Sequence, residues 1–217
     1  KQSDKLEKLG QEFITKHPHK IQAFLFQVKI LFYNNKKKKQ VIKVLTEFIN
    51  KHPLDIEENL QLVALLINNH EKELALDLLN RILDNNPDHV QSILIKSRLL
   101  IQYGYIDELN MFLKQYINEE EKNIKQVYHF ALAAQQQKDY KQALQYYKIL
   151  IGYQPGNTIL LNNMAWIYSL YNNPKAIALA KKAYTLQPES VAIADTYSTI
   201  LLKNAHYKQA LIILKKA

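Results

Sequence analysis

The sequence predicts an all-α fold, a solenoid built from antiparallel helix hairpins. Three observations carry that prediction. Prolines stand at 18, 53, 87, 155 and 188, in steps of 35, 34, 68 and 33, so the long gap is two periods of 34. Apolar residues keep the same register: Leu6, Val41, Ala75, Leu109, Ala143 and Ala176 lie twelve positions before each proline, or before Glu121 where the proline is missing. A second set, Phe13, Phe48, Ile82, Tyr116, Leu150 and Ala183, lies five positions before the same points. Helix breakers are scarce, with four glycines and six prolines in 217 residues, and the prolines sit at the ends of the amphipathic segments.

Taken in order, residues 1–18 supply a partial unit, one helix from about Asp4 to His17 with Leu6, Leu9, Phe13 and Ile14 on one face. Such a face needs a neighbour to cover it. The first helix of that unit would lie upstream, so Lys1 is expected to be a cut and not a natural start. Residues 20–53 form a hairpin with helices near 20–34 and 38–51 around the turn Asn34–Lys39. Residues 55–87 follow, started by Asp55, with Leu62, Leu65, Leu66, Leu74, Leu78, Leu79 and Ile82 at helical spacing. The copy at 88–121 is the most degenerate. Gly104 marks its inner turn, Lys96-Ser97 fills a slot expected to be apolar and small, and Glu119-Glu120-Glu121 replaces the closing proline.

The best-kept copy is 122–157. Ala131 and Ala134 on its first helix face Ala143 on its second, and small side chains let antiparallel helices approach closely. Tyr140, Tyr147 and Leu150 fill the space around them, and Pro155-Gly156 ends the second helix. Residues 158–190 repeat it with helices near 158–171 and 174–186, Pro174 standing at a helix start where its fixed φ is tolerated. Residues 191–217 begin a last, partial hairpin with no polar capping helix.

This pattern resembles the tetratricopeptide repeat, whose period is about 34 residues and which closes on a proline. The resemblance covers essentially the whole chain. It implies a right-handed superhelix of about six repeats, partial ones included, acting as one solenoid over 1–217. Within 161–217 there is a narrower resemblance, to the C-terminal repeats of bacterial PEP-CTERM-system tetratricopeptide lipoproteins. Asn162, Asn163, Ala165, Trp166, Pro174, Ala176, Asp195 and Thr196 carry it. It implies an envelope protein tied to exopolysaccharide production or protein sorting, periplasmic or membrane-anchored by a segment upstream of Lys1. Without it, a cytoplasmic adaptor or regulator is the reading.

Composition limits the remaining classes. There is no cysteine, which removes disulfide scaffolds, thiol catalysis and cysteine zinc sites. No apolar run is long enough to span a membrane. The net charge of +9 is unevenly spread: 11 basic and 4 acidic residues in 1–50, 6 and 13 in 51–121, 12 and 3 in 122–217. Only Arg81 and Arg98 among the 29 basic residues are arginine, the type suited to forked phosphate and base contacts. The alternative partner of the basic blocks is a polyanion, polysaccharide or nucleic acid, of which the arginine count disfavours nucleic acid. The Lys36–Lys39 run reads first as a solvated turn.

No catalytic, cofactor or metal site is expected. The histidines at 17, 19, 52, 70, 89, 129 and 206 include no pair four apart on one helix, the spacing a zinc site uses. Phosphate-loop and nucleophile-elbow motifs are absent as well. Function is therefore expected on a concave face lined by the first helix of each repeat, holding a protein or peptide ligand. Its candidate residues are Arg98, Gln102, Tyr128, His129, Asn162, Asn163, Trp166, Asp195 and Thr199. Phe26, Gln27, Ile30, Gln135 and Ser169 are expected to face the same way. Asparagine can bond an extended backbone, and Tyr and Trp give rigid contact area. For Asn162, Asn163 and Trp166, packing between repeats is the competing role. In tetratricopeptide arrays that clamp a chaperone's terminal carboxylate, lysine, asparagine and arginine recur at fixed slots. Asn163 fits one, whereas Tyr128, Leu132, Ala192 and Thr196 fill the others, which argues against that specialisation. Uncapped terminal helices leave self-association as a further partner class.

Overall fold

A computed structural model describes residues 55–118 and 120–216, the helix 21–33, and short stretches at 8–10, 12–13, 15–16, 43–44 and 47. The expected helix 38–51 falls almost wholly outside these residues. So do the lysine turn and the histidines at 17, 19 and 52.

Every described element is an α-helix or a turn. The helices are α1 (Ile21–Tyr33), α2 (Ile56–Asn68), α3 (Lys72–Asn85), α4 (Val90–Tyr103), α5 (Ile106–Ile117) and α6 (Glu121–Gln136). They continue as α7 (Tyr140–Tyr153), α8 (Thr158–Leu170), α9 (Lys175–Leu186), α10 (Val191–Lys203) and α11 (Tyr207–Lys216). The chain folds as two compact units, residues 1–99 and 100–217. The fold is of the tetratricopeptide type, consecutive antiparallel hairpins of one period.

One local structure makes the hairpins. At the inner turns of successive repeats stand His70, Gly104, Lys138, Asn172 and Ala205, each with φ between 50° and 78°. They are spaced by 34, 34, 34 and 33 residues. Each N–H donates to the carbonyl three residues back, and the next N–H donates five back: Glu71 to Leu66 at 2.9 Å, Tyr105 to Leu100 at 2.8 Å, Asp139 to Ala134 at 2.9 Å. Asn173 to Tyr168 at 3.0 Å and His206 to Leu201 at 2.9 Å complete the series. These paired bonds satisfy the last carbonyls of the first helix and turn the chain back on itself.

The turn between repeats has a different chemistry. Asn86, Gln154 and Gln187, each preceding a proline, have φ from −145° to −130° and ψ near 70°. The proline ring excludes the helical conformation from the residue before it, so the second helix stops there. Where Glu121 replaces proline the solution changes. Asn118 adopts the left-handed conformation, and the Asn123 side chain donates to the Tyr116 carbonyl at 2.7 Å across the turn. Nothing in the sequence announces that buried amide. At the helix starts, Asp55 and Glu58 form a reciprocal cap, and Asn157 accepts from the N–H groups of Ile159 and Leu160.

In the first unit α2 packs against α3, and Leu62, Val63 and Leu66 of the one and Ala75, Leu79 and Ile82 of the other are buried. Upstream, the described residues 8–10 meet α1 at Gly10, where an added Cβ would lie 2.7 Å from Ile30 Cδ1. Phe13 packs edge-on to Phe26 at 6.3 Å. Ile30, expected on the concave face, is buried because it fills that contact. In the second unit Ala131, Ala134 and Ala143 are fully enclosed, as the spacing requires, with Tyr146, Tyr147 and Leu150 around them. The slot taken by Lys96-Ser97 is occupied by a buried Ser97, whose Oγ donates to the Ile93 carbonyl at 2.7 Å. The hydroxyl bonds back to its own helix and so costs the core little.

Two outcomes test this account. Gly104→Ala should lower stability by about 1 kcal/mol, the cost of a left-handed L-residue. No atom lies within 4 Å of the added methyl, so thermal melting would report backbone conformation alone. Ala143→Glu should cost several kcal/mol by burying a carboxylate at a helix contact with no room for it; an unchanged melting temperature would show the register to be misplaced.

Candidate functional site

The second unit holds seven of the nine candidate residues on three first helices, α6, α8 and α10, with α8 in contact with α10. Helix α8 has two distinct sides. Leu160, Leu161, Met164, Ala165 and Tyr168 face the core, and the remaining stripe carries Ile159, Asn162, Asn163, Trp166 and Leu170. Positions 159, 162, 166 and 170 follow helical spacing, so they share one face. The helix contains no charged residue at all.

The two asparagines diverge. Asn163 Nδ2 donates to Tyr147 Oη at 3.1 Å, and that hydroxyl donates to Gln135 Oε1 at 2.7 Å. Tyr147 sits on α7, so a single phenol ties α6 and α8, the first helices of consecutive repeats. Asn163 therefore works between repeats. Asn162 does not: its Oδ1 is enclosed and has no hydrogen-bond partner. An acceptor in that state retains a strong preference for a donor.

Burial pushes the Tyr147 phenol up to about 12 from an ordinary 10.0; the bond from Asn163 opposes this, and the nearby Tyr128 phenol adds to it. Tyr128 packs its half-buried ring against Tyr147 at 6.4 Å and against the exposed His129 at 6.3 Å. Trp166 belongs to a second aromatic group. It meets Tyr140 edge-on at 5.6 Å, and Tyr140 meets Tyr171 edge-on at 6.3 Å. Even so Trp166 remains 38% exposed and Tyr171 63%. Tyr140 is half-buried against the indole instead of filling the core.

The other candidates are placed as follows. Asp195 and Thr199 are exposed on α10. Gln102 is exposed near the end of α4. Arg98 lies in the first unit, half-buried, with an enclosed Nε that has no partner. Ser169 is buried, contrary to expectation, because its Oγ donates to the Trp166 carbonyl at 2.7 Å and turns inward. The structure thus gathers Tyr128 and Asn163 around Tyr147, and sets Asn162 beside Trp166 on the open stripe. Sequence reasoning does not single out Tyr147 and Gln135 as a bridge; an aromatic second-helix residue twelve positions after a first-helix glutamine is the available signal. Among the described residues no cluster of three or more His, Asp or Glu could hold a metal ion.

No protein-family model and no curated relative match the chain. Solved structures do. A MamA point mutant is 18% identical, covering 58% of this chain and 93% of its own, with a TM-score of 0.49. MamA from residue 41 to its end, from Desulfovibrio magneticus, is 15% identical over 74% of this chain and 91% of its own, with a TM-score of 0.43. A tetratricopeptide repeat protein from Parabacteroides merdae is 19% identical over 97% of this chain and 83% of its own, with a TM-score of 0.41.

The bridge has a pH signature. The neutral phenol is the form the fold favours, so its contribution is intact below pH 10 and is lost as pH rises toward 12. Wild-type melting temperature should fall over that window more steeply than that of Tyr147→Phe. Burial raises Tyr168 and Tyr197 in the same direction, so the variant keeps a residual slope. At neutral pH the variant should be less stable by about 1 kcal/mol.

Proposed function

We propose that the chain is a non-catalytic scaffold that holds an extended, largely uncharged peptide segment of a protein partner on the first-helix face of its second unit. The open stripe of α8 carries the reading. Ile159 is 55% exposed, Trp166 38% and Leu170 39% on a helix without a single charge, beside an enclosed Asn162 oxygen lacking a donor. Apolar side chains of a peptide would cover the first three. The half-buried Asn162 beside them can hydrogen-bond a peptide backbone through the part of its amide that faces solvent, as side-chain amides do where an extended segment lies along a groove. Aromatic anchors of this kind commonly dominate interface energetics. Asp195 and Thr199 on α10 supply the polar rim, and Tyr128 and His129 on α6 the opposite one. Gln102 of α4 is a further contact residue in this reading. The resemblance of 161–217 to envelope lipoprotein repeats extends the proposal to a scaffold in exopolysaccharide production or protein sorting.

Selection of a displayed random-peptide library against the full chain tests this directly. Enriched peptides should carry apolar residues and little charge. Their affinity, read by fluorescence anisotropy, should fall at least about tenfold in Trp166→Ala, since such anchors are commonly worth about 2 kcal/mol. Helicity should be unchanged. Failure to enrich any peptide, or equal binding by Trp166→Ala, would refute the proposal.

A further inference from the structure

We infer that the second helices α7, α9 and α11 form a separate docking face for an anionic lipid surface. These three helices carry eight lysines and not one aspartate or glutamate. The lysines fall into ladders set by the repeat. Lys148, Lys181 and Lys215 are 33 and 34 residues apart, and Lys141, Lys175 and Lys208 are 34 and 33 apart. All six are exposed. Lys148, Lys181 and Lys215 each stand five positions after a buried alanine, Ala143, Ala176 and Ala210, so the hairpin register brings that set to one side of successive second helices, while Lys141, Lys175 and Lys208 stand at the starts of the same helices.

Nothing on that side neutralises them. Among the described residues, no ion pair involves these lysines. The neighbouring acids, Asp139 and Glu189, lie outside the helices, and Asp139 is occupied in capping the N–H of Gln142. Only Lys175 has another partner, lying over the Tyr168 ring at 5.9 Å. By contrast α3 and α5 carry Glu73, Asp77, Asp84, Asp107 and Glu108 on corresponding helices. Uncompensated like charges repel one another, and that repulsion is relieved when a negative surface approaches.

A bilayer is favoured over a polymer by what lies between the lysines. On α11, Leu211 and Ile212 are each 54% exposed, one turn from Lys208 on one side and Lys215 on the other. Apolar side chains flanked by lysine can enter the headgroup region while the ammonium groups reach the phosphates. A polyanion in water offers the leucine and isoleucine nothing. The ladders also lack arginine, the residue that would fork onto individual phosphates or bases. Lysine point charges suit a diffuse negative surface.

Sedimentation with vesicles of phosphatidylcholine alone, or mixed with phosphatidylglycerol, provides the test. The full chain should sediment with the mixed vesicles, not with the neutral ones, and should be released by salt. A Lys148→Ala, Lys181→Ala, Lys215→Ala triple variant should partition about 100-fold less, from about fivefold per lysine. Leu211→Ser with Ile212→Ser should make the binding release at lower salt. All five positions are exposed, so helicity by circular dichroism should match wild type. Equal partition onto neutral vesicles, or full retention by the lysine variant, would overturn the inference. So would tighter binding to heparin than to vesicles with indifference to the Leu211 and Ile212 changes, an outcome that would assign the ladders to a soluble polyanion.

Discussion

The structure depends on a residue held in the left-handed conformation once per repeat. A helix of a dozen residues leaves its last carbonyls without partners, and here the two N–H groups that follow fold back to satisfy them. That closure fixes the direction in which the next helix departs. Because it recurs at His70, Gly104, Lys138, Asn172 and Ala205, hairpins of one geometry follow one another along the chain. Everything placed by register inherits its position from these turns: small residues at helix contacts, asparagines on first helices, lysines on second ones. Four of the five sites are not glycine, so the backbone accepts an unfavourable conformation there that the bonds across the turn must offset.

Much of this was legible in the sequence, because periodicity survives divergence of side chains. The helices, the inner turns and the alanine contacts follow from spacing alone, and Gly104 and Asp55 announce their roles by residue type. The left-handed residues were less legible. Lys138 and Ala205 have no chemical preference for that conformation; the hydrogen-bonded turn imposes it. The substitute turn at Asn118 and Asn123 was hidden for a related reason. Once the proline is gone, several solutions become available, and a side-chain amide reaching seven residues back leaves no pattern in a single sequence.

The candidate face was legible only in outline. Helical spacing identifies Asn162, Asn163 and Trp166 as neighbours on one side of α8, but not which of them the fold itself uses. The answer comes from Tyr147, a residue of the neighbouring second helix. Its hydroxyl reaches between repeats and engages Asn163, which leaves Asn162 unmatched one position away. Ile30 and Ser169 turned inward on the same principle. A position at the edge of an apolar stripe goes to the core whenever a contact or a backbone acceptor there satisfies it.

The second unit therefore separates its chemistry by helix order. First helices bear few charges, α8 none, and they keep apolar and amide surface open where an ammonium group would be costly to desolvate. From the third hairpin on, the second helices α7, α9 and α11 bear lysine and no carboxylate, and they expose it. A solenoid can hold this division because each hairpin contributes one helix to each side, so a substitution on one side leaves the other untouched. A partner bound along the amide face would not compete with an anionic surface for the same side chains. The two faces can then be occupied together, and the repeat turns hold them at fixed distance.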